Sequence, residues 1–210
     1  MDDGKVLVAD CHPLVLEGLR AAVRYALPGA TVVGAQTLSE AEAKTAQLGR
    51  IRMALLDPDL PDARGLLGLL RLQYKLPRVP IVMMLSAEES RITGTARSLG
   101  AAGLFLKSAP VDRIADDLRQ IAAGRRVFPS GAVPSSVPPI RDRIAQLSDA
   151  QRRVLFALAE GHANKQIAYG LAVTEATVKA HLTAIFRQLG VNNRSQAMLA
   201  LRPVLGDPVN

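Results

Sequence analysis

Tryptophan is absent from this chain of 210 residues, aromatic side chains make up 3% of it, and a single cysteine, Cys11, occurs. One cysteine excludes an internal disulfide, and with only three histidines beside it no spacing for a zinc finger remains. Tyr25, Tyr74 and Phe128 read as packing residues, with no stacking array among them. No apolar run approaches the roughly 20 residues a membrane helix needs. The opening Met-Asp-Asp-Gly lacks the positive-then-apolar plan of a signal peptide. These absences lead to the expectation of a soluble, globular, cytoplasmic protein without a membrane partner.

Acidic residues are also in short supply, 19 against 26 Lys and Arg, for a formal charge of +7. The deficit is uneven. Residues 1–124 carry 15 basic and 14 acidic side chains, residues 125–142 carry 3 and 1, and residues 143–210 carry 8 and 4. A near-neutral front and a basic tail are what a nucleic-acid-binding C-terminal domain would produce, although a solvated basic surface would give the same count.

What is present is pattern. Lys5–Ala9, Ala30–Gly34, Met53–Leu56, Pro80–Leu85 and Gly103–Leu106 are short apolar runs of the kind found in buried strands. Between them, Leu14–Ala26, Ser39–Leu48, Gly65–Tyr74, Glu89–Leu99 and Val111–Ala123 repeat apolar residues at helical spacing. This alternation predicts an α/β doubly wound, five-stranded parallel sheet of flavodoxin-like size over residues 1–123. Residues 124–142 hold four prolines among Ser and Gly and are expected to form a linker. Residues 143–210 then show only helices: Ser148/Asp149 to about Glu160, Lys165–Leu171 capped by Asn164, Glu175–Leu189 capped by Thr174, and Gln196–Leu201 capped by Ser195.

In open parallel sheets the working site lies beyond the carboxyl ends of the strands. The residues there are Asp10-Cys11-His12, Asp57-Pro-Asp59, Ser86 and Lys107. A carboxylate with a hydroxyl and an ammonium close by suits phosphoryl transfer to Asp57, with a hard divalent cation offsetting the negative charge. In this order and spacing the residues resemble the receiver domains of two-component response regulators. The resemblance implies Asp57 as phosphoacceptor, Ser86 and Lys107 as phosphoryl-binding and switch residues, a histidine kinase as partner, and Mg²⁺ held by Asp10, Asp57 and the backbone of Asp59. Two departures stand out. Receivers carry two adjacent acidic residues after the first strand, and here the pair is Asp10-Cys11, so Mg²⁺ binding and phosphorylation are expected to be weakened. Leu104 stands where the family places its switch aromatic, and the adjacent Phe105 should face the other way. Cys11 itself admits a redox-sensor reading and a reading as an inert small side chain. His12 reads as the residue that leads into the first helix.

The segment from Glu160 through Leu182 has the spacing of a helix, a short turn and a longer helix, with Ile167, Ala168, Leu171, Val173, Val178, Leu182, Ile185 and Leu189 as its buried faces. Lys179, Ala180 and Thr183 are left facing outward, as a helix entering the major groove requires. Together with Gln188-Leu-Gly-Val-Asn-Asn-Arg-Ser-Gln-Ala197 this resembles the helix-turn-helix of the LuxR/NarL type. The resemblance implies base reading by Lys179, Ala180 and Thr183, and phosphate contacts or caps from Asn164, Lys165, Thr177, His181 and Arg187. Upstream, Ala150 and Gln151 replace the Arg-Glu pair that the family often has.

Both resemblances together indicate a NarL/FixJ-type response regulator with a degenerate acidic pocket, acting as a homodimer on double-stranded DNA. Two alternatives stay open. The receiver could serve dimerisation or protein binding independently of phosphorylation. Asp57-x-Asp59 with Ser86 and Lys107 also resembles the core of haloacid-dehalogenase-type phosphatases, although that family's later acidic pair has no counterpart here.

Overall fold

The five apolar runs form strands, four of them burying nearly every side chain and the edge strand β2 only partly: β1 Lys5–Ala9, β2 Thr31–Ala35, β3 Ile51–Leu56, β4 Ile81–Leu85 and β5 Gly103–Leu106. The computed structural model describes residues 4–129 and 140–205. The chain divides into two units, Met1–Ser136 and Val137–Asn210.

In the first unit the strands lie in the order β2-β1-β3-β4-β5, and every pairing is parallel. Parallel neighbours need helical crossovers, supplied by α1 Pro13–Ala26, α2 Leu38–Gln47, α3 Leu67–Lys75, α4 Ser90–Ser98 and α5 Val111–Ala122. Alternation along the strands sorts the side chains to two faces. Val6, Val8, Met53, Leu55, Val82, Met84 and Phe105 share one core with Leu16, Leu19 and Val23 of α1 and Ile114, Leu118 and Ile121 of α5. Leu7, Leu56 and Met83 are fully buried at the alternate positions. On that side Leu56 and Leu38 come within 3.5 Å of where a Cβ on Gly68 of α3 would stand. Phe105 thus faces α1 and α5, as the one-residue offset from Leu104 requires.

Helix starts follow local chemistry. Pro13 opens α1, where its missing N–H costs nothing. The Thr37 hydroxyl accepts from the Glu40 amide, so α2 begins one residue ahead of the expected Ser39. The Asp62 carboxylate, from the loop after β3, accepts from the Leu38 and Ser39 amides and the Ser39 hydroxyl, at 2.7–2.8 Å. Helix α3 begins at Leu67 rather than Gly65, because Arg64 (φ 46°) and Gly65 (φ 63°) are left-handed and cannot lie in a right-handed helix.

The expected linker at 124–142 is shorter in the structure. Val127 bridges β5 at Gly103: Leu104 N donates to Val127 O (2.8 Å) and Val127 N to Ala102 O (3.2 Å). A Cβ on Gly103 would meet Ile121 Cδ1 at 2.6 Å and the Val127 carbonyl at 2.8 Å, so only glycine admits this approach. The Arg126 guanidinium donates to the carbonyls of Ala101 and Arg97. Residues 124–129 therefore finish the first unit, and α6 Ile140–Ala145 already belongs to the second. The rest of the expected linker, residues 130–139, lies outside the described residues.

The second unit continues with α7 Asp149–Ala159, α8 Asn164–Leu171, α9 Glu175–Leu189 and α10 Arg194–Leu205. Ser148 and Gln151 close a reciprocal capping box on α7. Helix α9 is packed by α6, α7, α8 and α10. Its residues Val178, Leu182, Ile185 and Leu189 join Val154, Leu155, Leu158, Ile167 and Leu201 in the core. Two expected core positions differ: Leu171 is half-buried and Val173 is 39% exposed, because the turn between α8 and α9 runs over the surface. No helix among the described residues is long and apolar enough to cross a membrane.

Candidate functional site

The sheet delivers its carboxyl-edge residues by extending its own ladder. Asp10 N donates to Ala35 O, Asp57 N to Ala9 O and Lys107 N to Leu85 O, at 2.8–3.0 Å. The side chains that follow β1, β3 and β5 therefore converge. Lys107 Nζ lies 2.5 Å from Asp57 Oδ2 and 2.8 Å from Asp10 Oδ2. Both carboxylates are fully buried. Among the described residues Asp10 Oδ2 has this ion pair and no aligned hydrogen bond. Asp57 Oδ1 accepts from the Asp59 amide at 3.0 Å.

One ammonium faces two carboxylates, so the cluster keeps surplus negative character. Burial pushes the Asp57 carboxyl above its ordinary range, and the Lys107 and Asp59 hydrogen bonds offset this only in part. For Lys107 burial pulls downward, but its ion pairs with Asp10 and Asp57 outweigh it and hold the ammonium above its ordinary value. Ser86 follows β4 at the same edge but is exposed and stands outside the ion-pair cluster. The Asp59 side chain is also exposed, and its contribution is the amide that orients Asp57.

His12 leads into α1 as expected, but its contact with Asp10 was not foreseen in sequence. The Asp10 Oδ1 atom accepts from the His12 amide at 2.8 Å and lies 3.1 Å from His12 Nδ1. This tight turn carries the imidazole back over the pocket, where Nδ1 is 3.4 Å from Cys11 Sγ. The signal was the run Asp-Cys-His-Pro, in which an Asp side chain can bond the backbone two residues on.

In the second unit α9 presents Lys179, Ala180 and Thr183 on its exposed face. The Thr183 hydroxyl donates to the Lys179 carbonyl at 3.0 Å, which leaves its acceptor lone pairs facing outward. Lys165 and Arg187 are exposed, whereas Asn164, Thr177 and His181 are half-buried. Thr177 is part of the α9 cap, its amide and hydroxyl both on Thr174 Oγ1. Asn164 is the first residue of α8 rather than its cap. The position before it is Ala163, whose amide is taken by Gln166 Oε1 at 2.7 Å. Two arginines unforeseen in sequence fix the ends of the motif: Arg143 donates to Leu189 O at 2.5 Å, and Arg194 to His162 O at 3.0 Å.

Residues 6–119 match the response regulator receiver domain, and residues 145–201 match the bacterial regulatory proteins of the luxR family. The chain belongs to the NarL/FixJ (LuxR-type) response regulators. This response regulator is 33% identical over 207 residues to the glycerol metabolism activator of Pseudomonas putida, covering 93% of this chain and 94% of the relative. It is 30% identical over 199 residues to the nitrate/nitrite response regulator protein NarL of Escherichia coli K12, covering 91% and 92%. The fold is shared with the RcsB response regulator of Salmonella typhimurium, at a TM-score of 0.56 and 21% identity over 96% of this chain and 99% of that one. It is thus a DNA-binding transcription regulator of the two-component type. That family is not one of enzymes, which overturns the haloacid-dehalogenase reading of Asp57 and Asp59.

Receiver domains bind Mg²⁺ at an acidic site, and the aspartates of such a site are present here. The donors gathered in this chain are Asp10, Cys11, His12 and Asp57, with one ligand atom of each within 4.8 Å of the others. Only the two carboxylates match a cation that demands oxygen; the thiol and imidazole do not fit Mg²⁺.

Proposed function

We propose that the regulator reads a promoter through α9 while its receiver takes phosphoryl groups poorly. The carrying observation for DNA is the exposed Lys179, Ala180 and Thr183 face on a helix whose opposite face is locked into the core. Lys179 offers donors to guanine O6 and N7, the Ala180 methyl suits a thymine methyl, and Thr183 offers hydroxyl acceptors. Lys165 and Arg187 contact phosphates, with Asn164, Thr177 and His181 as shorter-range contacts or caps. The partner is double-stranded DNA, bound by a homodimer on paired half-sites, because one such module gives limited specificity. RcsB is seen bound to DNA as dimers, which supports this reading by analogy of fold.

Asp57 is the phosphoacceptor, oriented by Lys107 and the Asp59 amide, with Ser86 as the switch hydroxyl and a histidine kinase as donor. The metal positions are Asp10, Asp57 and the Asp59 backbone. Cys11 replaces an oxygen donor there, so Mg²⁺ affinity falls and phosphorylation falls with it. The protein works in the cytoplasm. Mass spectrometry of the protein incubated with a small phosphodonor and Mg²⁺ tests this: slow, partial modification at Asp57 is expected, with a gain in Cys11→Asp. Rapid stoichiometric modification of the unaltered protein would refute it.

A second reading is favoured by the Lys107 ion pairs. They neutralise part of the pocket with a cation that the chain itself supplies. Under this reading the receiver serves dimerisation or protein binding independently of phosphorylation. Equal promoter affinity for Asp57→Ala and the unaltered protein would favour it.

A further inference from the structure

The mismatch with Mg²⁺ has a positive side, since the same four residues form a donor set of another kind. A thiol, an imidazole and two carboxylates are the ligands of borderline-soft transition cations. We propose that Asp10, Cys11, His12 and Asp57 bind a divalent cation of the Zn²⁺ class in preference to Mg²⁺. This site goes beyond the DNA-binding reading and holds whether or not Asp57 accepts a phosphoryl group.

The geometry supports a four-coordinate site. With Zn–N and Zn–O of about 2.0–2.1 Å and Zn–S of about 2.3 Å, neighbouring ligand atoms of a tetrahedron stand about 3.3–3.6 Å apart. Here His12 Nδ1 lies 3.1 Å from Asp10 Oδ1 and 3.4 Å from Cys11 Sγ. All four donors fall within 4.8 Å of one another, so a cation has to draw the widest pair together by roughly 1 Å to complete the polyhedron. Lys107 pairs with the Oδ2 atoms of both aspartates and leaves the Oδ1 atoms for the cation. Each Oδ1 already accepts an amide, from His12 or Asp59, and retains a second lone pair. Those amides act as the outer shell that fixes a ligating carboxylate. Access is open: the His12 side chain is 64% exposed and Cys11 half-buried, while the two aspartates form a buried floor. Two buried carboxylates against one ammonium also leave charge for a cation to neutralise. Binding releases the Cys11 thiol proton to solvent, so the site gains a thiolate and the cation together.

Because Cys11 is the sole cysteine, thiolate-to-metal absorption reports on this site alone. The full chain, stripped with a chelator and titrated with Co²⁺ as spectroscopic probe, should show thiolate charge-transfer and tetrahedral ligand-field bands saturating at one equivalent. Zn²⁺ should abolish both bands stoichiometrically, and Mg²⁺ should need at least about 100-fold higher concentration to compete. Cys11→Ser should lose the charge-transfer band, and His12→Ala should weaken Co²⁺ binding at least about tenfold. Cys11→Asp should shift the preference toward Mg²⁺, while His162→Ala and His181→Ala leave the titration unchanged. Absence of a thiolate band in the unaltered protein would overturn the proposal without recourse to any variant. Equal Zn²⁺ affinity in Cys11→Ser, or Mg²⁺ competition at equal concentration, would overturn it as well.

Discussion

At the scale of single residues, the pocket is governed by Lys107. Its ammonium lies within 2.8 Å of two fully buried carboxylates. Removing one member of such a group leaves uncompensated buried charge, which typically costs about 3–5 kcal/mol. Lys107→Met is therefore expected to destabilise the first unit by about that amount at pH 7, read by urea denaturation. The loss should shrink at lower pH, because Asp57, already raised by burial, can then take a proton and relieve the repulsion. Gly103 sets a constraint of another kind. A Cβ there would lie 2.8 Å from the Val127 carbonyl, and backbone cannot swing aside as a side chain would. Gly103→Ala is expected to cost about 1–3 kcal/mol, with the loss visible as a lowered denaturant midpoint. Asp57, Lys107 and Asp10 were legible in sequence because strand ends in a parallel sheet point to one crevice whatever the details. His12 was legible as the entry to α1, but not as a neighbour of the Asp10 carboxylate, since that contact depends on a turn the Asp10 side chain closes.

At the scale of elements, helix ends carry the informative chemistry. Asp62 holds the start of α2 through two amides and a hydroxyl. Burial raises its carboxyl, but these hydrogen bonds outweigh burial and hold it below its ordinary value. A depressed folded value means the stabilisation is complete above the unfolded value of about 3.9 and is lost as pH falls toward the folded one. Asp62→Ala should cost about 1–2 kcal/mol at pH 7, and the gap from the unaltered protein should close as the pH drops below about 4. Strand positions were legible to within one or two residues, because short apolar runs bounded by turn residues leave little choice. Helix ends were less so. Asn193 Oδ1, not Ser195, caps α10, and that helix continues past Leu201 through Pro203 to Leu205. Helix α6 was hidden at the end of a proline-rich stretch, where Ile140 and Ile144, four residues apart, were too short a helical signal.

At the scale of the whole molecule, two units with separate cores should unfold in two calorimetric transitions, and Lys107→Met should lower only the first unit's. DNA binding belongs to the other. Lys179→Ala is expected to cost about 1–3 kcal/mol of specific binding and to relax base preference at one position. Lys165→Ala should instead weaken all sequences alike and reduce the salt slope by about 1 per monomer bound, both read from titrations at several salt concentrations. The bridge from Val127 to β5 has a consequence for how the first unit is kept monodisperse. β5 ends the sheet, and an unpaired terminal strand offers its amides and carbonyls as a template for a neighbouring chain. Val127 occupies that template with bonds to Ala102 and Leu104. A receiver cut after residue 123 would bare it and should self-associate in sedimentation, whereas one that keeps residues 124–129 carries its own shield against aggregation.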